Sequence, residues 1–278
     1  MESVLGGILA FFIVLASYKG FKDRVFYDRY LFDATRILRD REYHRLFTSA
    51  FLHGSWFHLG FNLIALLSFS GEVEYYFGWW QYLVLFFGSV LFGDLLALYF
   101  HRNHEYRAVG ASGGVSGLVM AFIVTAPNSG ISFILIPIEI KSWIFGIAYV
   151  LITMFAIKRS NDNIGHEAHL GGAIAGVLLA LAFDPSLFGL RLWLIAAILI
   201  PSIIFLWLNI SNPAFFLLPD KWSLGSRKPK SPLKISHKKK KISKEEELDL
   251  LLKKIKKRGL GSLSKKERDR LEELSNEE

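Results

Sequence analysis

VGASGGVSG, residues Val109–Gly117, opens an apolar run that continues to Ala126. It holds two serines four residues apart. Each is the serine of a Gly-x-Ser-Gly, one from Gly110 to Gly113 and one from Gly114 to Gly117. Such a run can present a serine nucleophile, and small residues at this spacing also let two helices touch. The surrounding chain decides the kind of fold. Apolar segments near bilayer length flank the run on both sides: Val4–Tyr18, Trp56–Phe69 and Trp79–Phe100 before it, Trp143–Ile157, His169–Phe183 and Leu190–Ile210 after it. A spanning helix needs about 20 apolar residues, so several of these are expected to extend into their flanks. The chain is 52% hydrophobic, with 24 Phe and 7 Trp in 278 residues, too apolar for an ordinary water-soluble domain. The expected fold is all-α: a polytopic membrane helical bundle with seven spans as the upper count.

The remaining composition narrows the organisation. The opening MES carries only Glu2, and no small-x-small cleavage site precedes Lys19, so the first segment reads as a retained helix. With no cysteine, disulfides and thiolate metal sites are excluded. The net charge of +8 is uneven, much of it lying in GSRKPKSPLKISHKKKKISK, Gly225–Lys244. Such a run faces anionic lipid or solvates a tail. No recognition motif accompanies it, so nucleic acid is not an expected partner. The connection from Lys19 to Ser55 mixes charges with aromatic and aliphatic residues, which suits a structured insert lying at the interface. Three regions are expected: a membrane core over 1–185, an additional membrane segment over 186–221, and a basic linker with a tail over 222–278. In the tail, Arg227–Lys241 is rich in Pro and Lys. Two capping boxes follow, Ser243 with Glu246 and Ser264 with Glu267. They fit a helical hairpin outside the membrane, or a solvated tail with a few helical turns.

Polar residues inside apolar segments are costly and point to function. They form three groups: His58 and Asn62 in the second segment, Ser112 and Ser116 in the fourth, His166 and His169 at the start of the sixth. If segments two to six all span, these three run in the same direction, and the groups share a depth near one membrane face. Gly113-x-x-x-Gly117 and Gly172-x-x-x-Gly176 let segments four and six approach closely. Ser112 could then reach an imidazole on its neighbour, the minimum unit of an activated hydroxyl nucleophile. His58 and Asn62, one turn apart, could join the Ser112 backbone N–H in meeting an oxyanion. The bland alternatives are helix packing for the glycines and interhelical hydrogen bonding for the histidines and Asn62. HEAH, His166–His169, is one residue short of the zincin H-E-x-x-H, and no carboxylate in a span completes a metal site.

Together these residues resemble the rhomboid family of intramembrane serine proteases, over roughly Arg45 to Asp184. The likeness rests on HRLFTSAFLHGSWFHLGFN, GEVEYYFG, VGASGGVSG and GHEAHLGGAIAG. It implies a six-helix core with a seventh span, Ser112 as nucleophile, His169 as general base, and His58 with Asn62 at the oxyanion hole. Ser116 is then a packing or supporting group, and Glu74 is structural. No cofactor or metal is implied. The partners implied are transmembrane protein substrates and membrane lipids, and the location implied is a bacterial inner membrane with the first loop away from the cytoplasm. Many rhomboids carry an aromatic residue four after the nucleophile, stacked on the histidine. Ser116 stands there instead, so the imidazole is expected to be held differently, by hydrogen bonding. The competing class is a catalytically inactive rhomboid-like protein that binds membrane clients. A solute transporter would want broken helices at the midplane, for which Pro137 and Pro201 are thin support.

Overall fold

The computed structural model describes residues 3–133, 136–159, 165–211 and 244–275. These fall into two units, one within Met1–Leu218 and one within Pro219–Glu278. The linker Arg227–Lys241 and the cap Ser243 lie outside the described residues.

The first unit is a bundle of seven long helices: α1 (Val4–Lys22), α5 (Trp56–Phe77), α6 (Trp79–Phe100), α7 (Ser112–Thr125), α8 (Ser142–Arg159), α9 (His166–Phe183) and α10 (Ser186–Ser211). Each carries one of the seven apolar segments. Four of them, α1, α6, α9 and α10, are long and apolar enough to cross a membrane, and α5 makes a fifth when taken with the short helix it bends away from at 95°. The helix α7, at 14 residues, is shorter than its apolar segment. At 1.5 Å per residue it reaches about 21 Å, against a hydrocarbon core of about 30 Å. It starts at Ser112 rather than at Val109. Every residue from Gly113 to Val124 is buried, as befits a helix apolar on all sides. Around this central post the outer helices turn Phe11, Phe12, Phe57, Phe61, Trp79 and Trp207 outward, a surface suited to lipid.

The α1–α5 connection is folded. It contains α2 (Arg24–Tyr30), α3 (Ala34–Arg39) and α4 (Arg45–Thr48), with a 3-10 turn over Ser49–Phe51. Arg45, only 1% exposed, is its anchor. The guanidinium donates to the carbonyls of Asp28 at 2.9 Å and Leu31 at 2.7 Å, and its Nε pairs with Glu42. A two-residue strand β1 (Phe32–Asp33) pairs antiparallel with β2 (Arg107–Ala108), just ahead of α7. The α7–α8 connection is a hairpin of β3 (Gly130–Phe133) and β4 (Ile136–Lys141). Neither small sheet was anticipated. Glu74 near the end of α5 accepts from the Ser3 hydroxyl and, at 3.3 Å, from Leu5 N–H. It thus places a carboxylate on the N-terminus of α1, where the helix dipole favours negative charge. The backbone of α10 leaves helical geometry at Arg191.

The second unit is a helical hairpin of α11 (Lys244–Arg258) and α12 (Lys265–Ser275) around Leu251, Leu263 and Leu274. Gly259 closes α11 at φ 76°, its N–H bonded to Ile255 O at 2.7 Å. The box at Ser264 and Glu267 is formed in both directions, at 2.8 and 3.3 Å. Residues 219–278 hold 19 basic and 11 acidic side chains, so the formal net charge of +8 resides there and residues 1–218 are net neutral.

Candidate active site

Backbone contact between glycines builds the site. A Cβ on Gly172 would run into the carbonyl oxygen of Gly113, and one on Gly176 into that of Gly117. A Cβ on Gly93 of α6 would lie 2.5 Å from Ala168 O, beside His169. Three helices thus meet here, α9 at backbone distance from both α6 and α7, and the Ser89 side chain of α6 packs against Gly117 of α7.

At this junction Ser112 Oγ lies 2.6 Å from His169 Nε2. Both residues are half-buried. Ser112 is the first residue of α7, where the N–H groups of the opening turn have no intrahelical acceptor and point toward any anion placed there. The chain enters this turn through Gly110 at φ +135°, a conformation that L side chains rarely adopt. The same glycine leaves room for an imidazole. A Cβ there would sit 2.9 Å from His58 Nε2 and 3.7 Å from Ser112 Oγ. His58 therefore flanks the serine. Asn62 is buried, and its Nδ2 donates to His58 O at 3.0 Å, which leaves its second amide hydrogen for another acceptor. His166 lies edge-on to His169, ring centroids 5.8 Å apart. Among the described residues, no three His, Asp or Glu side chains form a group that could hold a metal ion.

Two further residues escaped the sequence reading. His53, fully buried, faces His58 edge-on at 4.9 Å. Its Nδ1 lies 2.9 Å from Ser17 Oγ, and its Nε2 accepts the Ala111 N–H at 3.4 Å. Ser17 already donates to Phe51 O at 2.9 Å, so the bonds set the neutral Nδ1–H tautomer. This imidazole ties α1 to the residue before Ser112. The sequence signal was a second histidine five residues before His58. The other residue is Tyr149 on α8, whose hydroxyl is 2.5 Å from Ser116 Oγ. Ser116 in turn donates to Ser112 O at 2.6 Å. The carboxylate of Asp94 on α6 accepts from Ser49 Oγ at 2.9 Å, and Ser49 O accepts the Gly110 N–H at 3.0 Å.

Residues 40–185, just over half of the chain, match the family described as Rhomboid domain. Residues 236–277 match a family of unknown function, DUF6576. Rhomboid protease GluP of Bacillus subtilis is 25% identical over 181 residues, covering 64% of this chain and 34% of that protein. Rhomboid protein 1, mitochondrial, of Saccharomyces cerevisiae is 29% identical over 134 residues, 47% of this chain and 39% of its own. RHOMBOID-like protein 1 of Arabidopsis thaliana is 31% identical over 154 residues, 54% and 37% respectively. The matches thus span about a third to two fifths of these relatives.

Proposed function

This chain belongs to the rhomboid family, and on that premise we propose that it is an intramembrane serine endopeptidase working through a Ser112–His169 dyad. The 2.6 Å contact between Oγ and Nε2 is the observation that carries the reading. The substrate is a transmembrane protein whose helix unwinds locally near the membrane face. Ser112 Oγ attacks the exposed carbonyl carbon while His169 Nε2 takes the hydroxyl proton. The developing oxyanion is met by the Ser112 backbone N–H, by His58 and by the remaining Asn62 amide hydrogen. His169 passes its proton to the leaving amine, and an acyl-enzyme remains. Water, deprotonated by His169, then releases the acid and restores Ser112.

Its apolar helices and its family make it an integral, multi-pass membrane protein. We place it in a bacterial inner membrane with the α1–α5 insert away from the cytoplasm. The relatives come from a bacterium, a mitochondrion and a plant, so the compartment rests on fractionation of the source cells. A single cysteine at Arg39, 79% exposed, should be labelled from outside by an impermeant reagent.

The deciding experiment uses purified protein in liposomes with a generic transmembrane substrate and a fluorophosphonate probe. Ser112→Ala and His169→Ala should each abolish cleavage and labelling, and Ser116→Ala should retain a measurable fraction. Labelling that survives Ser112→Ala but vanishes in Ser116→Ala would move the nucleophile to Ser116. A well-folded wild type that neither labels nor cleaves would favour the client-binding class.

A further inference from the structure

The opening of α7 reads Ser112-Gly-Gly-Val-Ser-Gly117, half of it glycine. Glycine is the poorest helix former after proline, so this stretch is a weak helix by itself. Yet it must hold Ser112 against His169 within a fraction of an ångström, because attack geometry is that demanding. The glycine contacts with α9 fix how far apart the backbones lie. They contribute no polar anchor inside the turn.

Ser116 and Tyr149 contribute one. Ser116, 3% exposed, has a single hydroxyl proton, and that proton goes to Ser112 O at 2.6 Å. In the 2.5 Å contact with Tyr149, the phenol is therefore the donor. A serine bonded back to the carbonyl four residues earlier tends to bend a helix and slightly destabilise it. A second donor on the serine oxygen polarises the first bond and holds that rotamer in place. Tyr149 is itself secured on α8, where its ring packs near Phe145 at 6.1 Å and its carbonyl accepts from Thr153 Oγ1 at 2.7 Å.

We infer that Tyr149 is a positioning residue for Ser112, acting through Ser116. This rests on Ser112 being the nucleophile. Tyr149 touches no reacting atom. It holds the carbonyl of the attacking residue from a neighbouring helix.

Tyr149→Phe keeps the ring and removes only the hydroxyl. Its kcat on a transmembrane substrate should fall about tenfold with KM unchanged, and the rate of fluorophosphonate labelling should fall in proportion. The melting temperature should drop by a few degrees at most. Ser116→Ala should show the same pattern. The double variant should be no slower than Ser116→Ala alone, because the two groups form one chain. A wild-type kcat and labelling rate in Tyr149→Phe would overturn the inference, as would a double variant whose losses multiply. A lowered melting temperature with unchanged kcat would reduce Tyr149 to packing and overturn it equally. Wild type that neither labels nor cleaves removes the protease reading and this inference together. A wild type labelled at Ser112, with Tyr149→Phe unaffected, sinks this inference alone.

Discussion

Replacing Gly172 by alanine should pull Ser112 and His169 apart. A Cβ at Gly172 would overlap Gly113 O and lie 2.8 and 3.0 Å from the carbonyl carbon and α-carbon of that residue. Real Cβ atoms essentially never come within 3.0 Å of such atoms. Here they belong to the backbone beside Ser112, and no flexible side chain can swing away. The helix α9 must therefore retreat from α7 by about 1 Å. His169 lies about one turn before Gly172 on the same helix, so the retreat adds to the 2.6 Å contact and carries it past useful hydrogen-bond length. Overpacking of this kind costs about 1–3 kcal/mol, and a 1 Å misplacement costs about a hundredfold in rate. Cleavage of a transmembrane reporter in liposomes, with thermal unfolding in detergent, reads both effects. Gly7→Ala is the control, since a Cβ there meets nothing within 4 Å; it should cleave like wild type. Wild-type cleavage and melting in Gly172→Ala would refute the idea that this backbone contact sets the distance within the pair.

Gly110→Ala should lose most activity in the same assay, because a Cβ at φ +135° is strained and would also lie 2.8 Å from His58 Cε1. Arg45→Gln should destabilise the membrane unit by about 3 kcal/mol, seen as a lower melting temperature, because a buried guanidinium serves two carbonyls and Glu42. Truncation after Trp222 should leave cleavage within a few-fold, since the candidate site lies wholly before that point. Glu267 in the tail hairpin is held down to about 2 by Lys254 and then by Ser264, below its ordinary 4.5. Its contribution to the hairpin is thus fully present above about pH 4.5 and is lost as pH falls toward 2. Circular dichroism of a 236–278 peptide should show helix declining across that window, and a flat profile would argue against it.

Some of this was legible in the sequence, for physical reasons. Ser112 and His169 could be read as neighbours because parity sets their depth and paired glycines set the helix separation. The apolar segments were legible as helices because lipid admits few other backbones. The interior of the α1–α5 insert was not. Hydropathy shows that Arg45 closes a polar stretch ahead of Leu46 and Phe47, but not that it would be buried and reach carbonyls 14 and 17 residues back. His53 and Tyr149 were missed for a related reason. Each acts on backbone or side chains of another helix, and a pattern read along one segment carries no record of that partner. The late start of α7 was also hidden: Val109 and Ala111 look like span residues, yet the positive φ at Gly110 keeps the helix from starting before Ser112.

The separation of charge between the two units bears on handling the protein. With residues 1–218 and 242–278 each net neutral, a cation-exchange column at neutral pH grips the molecule chiefly by residues 219–241. A preparation clipped just ahead of Arg227 would leave the membrane unit in the flow-through, while the released piece, carrying the basic linker, still bound. Retention on such a column therefore reports whether the basic linker is still attached. Salt elution would follow that short basic run, whatever detergent surrounds the helices.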